Sequence, residues 1–140
     1  LQDSLAFSDW QSYLPVMPAT TKERPATWQH AKKSGTALYA WRRSIGVNRE
    51  SFARFANLSE RTLATYEKHK KFPSTIRPQV NEAVRLVKAL LEIIPPDQLT
   101  AWLQKPNPGF GGRKPSTLIE KGERDVIWAM IHQTRQGTFA

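Results

Sequence analysis

Two groups of residues in this 140-residue chain have the types and spacing to do chemistry, and in both it is recognition rather than catalysis. The first is Arg49, Ser59, Glu60, Arg61, Thr62, Thr65 and Lys68, with Lys70 and Lys71 following. Ser59, Glu60, Arg61, Thr62 and Thr65 suit base edges, and a bidentate Arg61–guanine contact would be worth ~1–3 kcal/mol of discrimination. Arg49, Lys68, Lys70 and Lys71 suit phosphates, which fix register without reading sequence. The second group ends the sequence: Arg135, Gly137, Thr138, Phe139 and Ala140. A short apolar terminus beyond a helix fits a partner's cleft, with Phe139 as anchor and Arg135 and the terminal carboxylate as polar contacts. The alternative for Phe139 is to fold back and close its own core.

The first group needs two short helices crossing at a tight turn. Ala53 is small where the helices approach, and Asn57 falls where the chain needs a left-handed residue. Leu58, Leu63 and Tyr66 then point to the core, which leaves Glu60, Arg61, Thr62 and Thr65 outward for a DNA major groove. Charge coincides with this spacing. Residues 29–94 carry thirteen basic and five acidic side chains, whereas residues 1–28 are net −1 and residues 95–140 net +2. A basic excess confined to the motif points to a phosphate backbone as partner.

The surrounding pattern is all-α: an N-terminal helix-turn-helix bundle joined by a long apolar helix to a small C-terminal helical domain. Residues 1–30 form an irregular arm broken by Pro15, Pro18 and Pro25, anchored through Trp10, Tyr13, Leu14, Val16 and Met17. Residues 31–94 form the DNA-binding domain. Its first helix covers about 31–44 with Leu38, Trp41 and Ile45 inward, and Gly46 ends it. Asn48 caps a helix over about 49–56, and Ser59 caps another over about 60–69. A basic loop precedes a fourth helix over about 76–94, stopped by Pro95 and Pro96. Val80, Val84, Val87, Leu91 and Ile94 form one stripe on it, widened by Leu86, Leu90 and Ile93. Such breadth exceeds what a surface helix needs, so it belongs between sub-domains or in a homodimer interface.

Residues 95–140 form the second domain. Leu99, Trp102 and Leu103 mark a helix; residues 105–115, with three prolines and three glycines among eleven residues, make a loop. Pro115 starts a helix, Gly122 separates it from the last one, which runs from Glu123 to about Gln136, and Gly137 ends that. Trp41, Trp102 and Trp128 fall on apolar faces and read as core.

Enzymatic and metal chemistry find little footing. His30, His69 and His132 have no ligand spacing, and Ser4, Ser8 and Ser116 lack nucleophile-elbow surroundings. The glycine-rich loop lacks both the preceding strand and the Gly-Lys-Ser/Thr of a phosphate-binding loop. No catalytic residue, metal or cofactor is expected. No apolar run reaches about 18 residues, so no membrane span is expected. The opening residues lack a basic stretch followed by an apolar core, so no signal peptide is expected either. The absence of cysteine fits a reduced, cytoplasmic setting.

Residues 36–94 resemble the Xre-type helix-turn-helix of phage-repressor relatives. Arg49 stands where that family commonly has Gln, Asn57 where it has Gly, and Glu67-Lys68-His69 where it has Glu-x-Gly. Residues 95–140 resemble the toxin-binding domain of the Xre/MbcA/ParS antitoxins. The resemblance is carried by Trp102-Leu103, Pro106-Asn107-Pro108, Phe110-Gly111-Gly112, Pro115, Leu118, Asp125 with Ile127, and Arg135, Gly137, Phe139 and Ala140. It implies a dimeric antitoxin that represses its own operon through a double-stranded DNA operator. It also implies neutralisation of a cognate toxin of the RES class, which acts on NAD. The alternative is a stand-alone helix-turn-helix transcriptional regulator with no toxin partner.

Overall fold

The computed structural model describes residues 28–137 except 30 and 70–72. Among the described residues there are seven α-helices with both ends defined, further helical residues at Trp28, Gln29 and Ala31, one 3₁₀ turn, and no strand beyond an isolated bridge between Asn107 and Arg113. The chain divides into two compact units, the division falling between Lys88 and Ala89.

The first unit begins with α1, Gly35–Ile45. Ser34 caps it, its side chain accepting from the Ala37 amide, and Gly46 closes it at φ 75°. The helix therefore starts four residues later than the sequence pattern places it, because Ser34 supplies a cap that Ala31 cannot. α2, Arg49–Ala56, is capped by Asn48 and ends at Asn57 in the left-handed region, φ 55° and ψ 43°. Asn57 is the one non-glycine residue with positive φ among those described. α3, Glu60–Tyr66, is capped by Ser59 and stops short of residue 69, since Lys68 and His69 close turns on the Thr65 and Tyr66 carbonyls. α2 and α3 pack directly on one another. Ala53 is buried, as the tight crossing requires.

The core of this unit comprises Leu38, Trp41, Ile45, Val47, Phe52, Phe55 and Leu63, with Trp41 edge-on to Phe52 at 6.4 Å. Leu58 and Tyr66 are only half-buried, so of that apolar triplet Leu63 alone is fully inside. α4, Arg77–Leu90, is 14 residues long and shorter than the 76–94 span expected. The chain leaves the helix through turns at residues 91–93, well before Pro95 and Pro96. Gln79 on α4 donates to the Ala56 and Asn57 carbonyls, satisfying the end of α2.

The second unit contains α5, Pro96–Gln104, α6, Pro115–Glu120, and α7, Arg124–Gln136, each packed on its neighbour in the chain. Pro115 occupies the first position of α6, where its missing N–H is not needed. Residues 105–115 are more regular than a free loop. Asn107 caps a 3₁₀ turn, Pro108–Phe110, and Arg113 donates from Nε to the Phe110 carbonyl. Phe110 is buried, edge-on to Trp102 at 6.3 Å. Trp102 and Trp128 are half-buried, against the full burial expected for both.

Gly35 is the tightest backbone constraint in the first unit. A Cβ there would lie 1.7 Å from the Tyr66 carbonyl oxygen and 2.7 Å from that of His69. The same contact lets the Thr36 amide donate to the His69 carbonyl at 3.2 Å, joining the start of α1 to the end of α3. The obstacle is backbone, which cannot rotate aside. Gly35→Ala is therefore expected to cost about 3 kcal/mol or more, at the upper end of overpacking effects. Denaturant unfolding measures this, and a loss below about 1 kcal/mol would show that the contact yields.

Candidate nucleic-acid interface

The site is built outward from Glu67, which is buried at the end of α3. Arg42, near the end of α1 and also buried, donates from Nε to Glu67 Oε2 at 2.7 Å and from NH2 to Oε1 at 3.0 Å. Its NH1 donates to the Val47 carbonyl at 3.0 Å. Arg49, the first residue of α2, donates from Nε to Glu67 Oε1 at 2.9 Å. The Glu67 carboxylate thus ties α1 and the start of α2 to the end of α3, and the Arg42 guanidinium on it also holds the α1–α2 turn. Arg42 is not among the residues expected from the sequence, and Glu67 entered only as the end of the motif spacing and the Glu of Glu-x-Gly, with His69 departing from its Gly. The available signal was position: Leu38, Trp41, Arg42 and Ile45 follow the i, i+3, i+4, i+7 spacing of a buried stripe, with Arg42 in an apolar slot.

Around this anchor the expected DNA-facing residues divide into holders and free groups. Glu60, Arg61, Thr65 and Lys68 are exposed. Arg61 and Glu60 make no ion pair or side-chain hydrogen bond among the described residues, apart from the Arg61 backbone carbonyl accepting from Thr65 Oγ1. Ser59 is exposed but is the cap of α3: its Oγ accepts from the Thr62 amide at 3.0 Å and donates to Thr62 Oγ1 at 2.7 Å. Thr62 is half-buried rather than outward. Arg49 keeps 35% of its side chain exposed while its Nε serves Glu67. Lys70 and Lys71 lie outside the described residues.

In the second unit, Arg135 is exposed and pairs with Glu92, its Nε and NH2 donating to Oε1 at 3.2 and 3.1 Å. An exposed pair of this kind contributes about 1 kcal/mol at most and exchanges readily for an outside partner. Gly137 caps α7 at φ 64°. Thr138, Phe139 and Ala140, and the arm with its anchors from Trp10 to Met17, lie outside the described residues. No group of three or more His, Cys, Asp or Glu that could hold a metal occurs among the described residues. None of the described helices is long and apolar enough to cross a membrane.

The first unit is thus a helix-turn-helix whose second helix is held by a buried ion pair at its end while Glu60 and Arg61 stay exposed, and the second is a small helical unit. No family model matches the chain. The mycobacterial cidal antitoxins MbcA of Mycobacterium tuberculosis and Mycobacterium bovis are each 28% identical to it over 96 residues, 68% of this chain and 85% of theirs. A chain in the crystal structure of the M. tuberculosis MbcT–MbcA toxin-antitoxin complex matches with a TM-score of 0.57 and 25% identity, covering 82% of this chain and 96% of that one. In sequence and in fold the chain is therefore similar to antitoxins of the MbcA type.

Removing one partner of the buried pair strands the other. Glu67→Ala is expected to destabilise by about 3–5 kcal/mol, because Arg42 would keep its charge in a site closed to water. Replacing both partners with apolar residues, Arg42→Met with Glu67→Leu, is expected to recover most of that loss. Urea unfolding of the two variants decides the matter. Equal destabilisation in both would mean that the cost lies in lost packing rather than in the stranded charge.

Proposed function

We propose that this chain is the antitoxin of a type II toxin-antitoxin pair, binding its own operator through the first unit and its toxin through the second. The likeness to MbcA carries the reading. A match of 96 residues is longer than either unit, so it takes in parts of both. The partnership of MbcA with MbcT in the solved complex supports a protein toxin as the partner here. The resemblance of residues 95–140 to Xre/MbcA/ParS antitoxins makes a RES-class toxin the specific candidate.

For the DNA side, Arg61 is the group for a guanine edge, with Glu60 and Thr65 beside it and Arg49 and Lys68 on phosphates. A recognition helix of seven residues makes few base contacts. A homodimer reading two half-sites about one helical turn apart therefore completes the proposal. Residues 31–94 act as the DNA-binding domain and residues 95–140 as the toxin-binding domain, in the cytoplasm where the operator lies. The toxin-facing group is Arg135, Gly137, Thr138, Phe139 and Ala140, which would neutralise an enzyme by filling its cleft.

Two substitutions separate the halves. Arg61→Ala is expected to relax preference at one base position per half-site, at about 1–3 kcal/mol, in a gel-shift series over single-base operator variants. Uniform weakening on every sequence would make Arg61 a phosphate contact instead. Truncation after Gln136 is expected to leave operator binding unchanged and to abolish rescue of growth when the adjacent-gene toxin is co-expressed. Rescue by the truncated chain would remove the terminal anchor from the mechanism.

A further inference from the structure

Tyr39 is the one large apolar side chain that stands exposed among the described residues, at 39%. An exposed tyrosine is ordinary, but this one is held in place by cations on the same helix. The Arg42 guanidinium lies 5.4 Å from its ring centroid and that of Arg43 lies 5.7 Å away. Arg43 NH1 also donates to the Tyr39 hydroxyl oxygen at 3.4 Å. Arg43 is exposed and makes no ion pair with a carboxylate among the described residues.

A continuous line of contacts therefore runs from Arg43 through Tyr39 and Arg42 to Glu67 and Arg49. Three guanidiniums share it with one carboxylate, which leaves an excess of positive charge along the edge of the helix-turn-helix. Because the Tyr39 oxygen accepts from Arg43, its own O–H is free to donate outward. A phenol donor beside a guanidinium with spare N–H groups is a fitting cradle for one phosphate oxygen pair. The ring also covers Arg42, so the cradle is seated on the same buried pair that sets the recognition helix.

We infer that Tyr39 and Arg43 form a phosphate clamp on α1, gripping the DNA backbone beside the groove that α3 enters. The inference rests on the proposed DNA-binding function and extends it to a helix outside the motif. The clamp fixes register and carries no base preference.

The test uses the full chain, its upstream operator duplex and a scrambled duplex of equal length, titrated at several salt concentrations. Arg43→Ala is expected to weaken binding to both duplexes about tenfold, the scale of one charge-assisted contact, and to lower the salt slope by about one. Tyr39→Phe keeps the ring over Arg42, so it is expected to weaken binding several-fold while leaving thermal unfolding unchanged. If the parent binds its operator and both variants match it in affinity and slope, the clamp is wrong and the DNA-binding reading stands. Loss of preference at a single base in Arg43→Ala would make Arg43 a base reader and would likewise overturn the clamp. If the parent binds neither duplex above background, the DNA-binding reading fails and the clamp fails with it.

Discussion

Arg42 gives up its hydration to sit inside the first unit, and three donated hydrogen bonds are what make that tolerable. Two go to Glu67 and one to the Val47 carbonyl. The geometry that satisfies them is narrow, since the planar guanidinium must meet both carboxylate oxygens while its third nitrogen reaches the turn after Gly46. Meeting those conditions sets where α3 ends relative to α1 and where α2 begins. Arg49 then adds a second cation to the same carboxylate oxygen. The angle at which α3 presents its outer face follows from these contacts, together with the backbone approach at Gly35 on the opposite end of α1.

Local chemistry was the part of this arrangement that could be read from the sequence. Asn48, Ser59, Gly46 and Asn57 each act on residues within four positions, so their types alone locate the helix boundaries they make. The small Ala53 and the buried Leu63 likewise followed from spacing. What escaped was non-local. Arg42 and Glu67 are 25 residues apart, and nothing in either neighbourhood names the other. The stripe of Leu38, Trp41 and Ile45 marks Arg42 as inward-facing, but only the fold supplies Glu67 as its partner. Gly35 is hidden in the same way, because its reason is a carbonyl 31 positions further on. Helix lengths erred where turns rather than prolines end them, as at Leu90 and Tyr66.

The two units are stabilised by different means. In the first, Arg42, Ser51 and Glu67 are buried polar groups among the apolar side chains, whereas in the second Ser116 is the only buried polar residue described. The second unit relies on Ile93, Ile94, Leu99, Leu103, Phe110, Leu118, Ile119, Ile127 and Ile131, and the pairs Arg113–Glu123 and Arg135–Glu92 on it are exposed. Apolar burial is non-directional and tolerates small rearrangements. A buried pair adds little net stability but penalises every arrangement that breaks it. That contrast suits the proposed division of labour, in which the first unit holds a reading helix at a fixed angle and the second meets another protein.

α3 has seven residues, too few to be helical alone in water. Every turn of it is held by something else: Ser59 and Thr62 at the start, Leu63 in the core and Glu67 at the end. None of these holders is Glu60 or Arg61, and Thr65 spends only its hydroxyl proton, on the Arg61 carbonyl. The side chains best placed to touch bases are therefore those the helix does not need for its own stability. Substitution at Glu60 or Arg61 changes what the surface offers a base pair and leaves the scaffold intact, whereas substitution at Ser59 or Glu67 changes whether there is a helix to present. Under the proposed operator-binding function, preference can shift through one or two exposed residues while the buried pair, the caps and the Gly35 contact stay as they are.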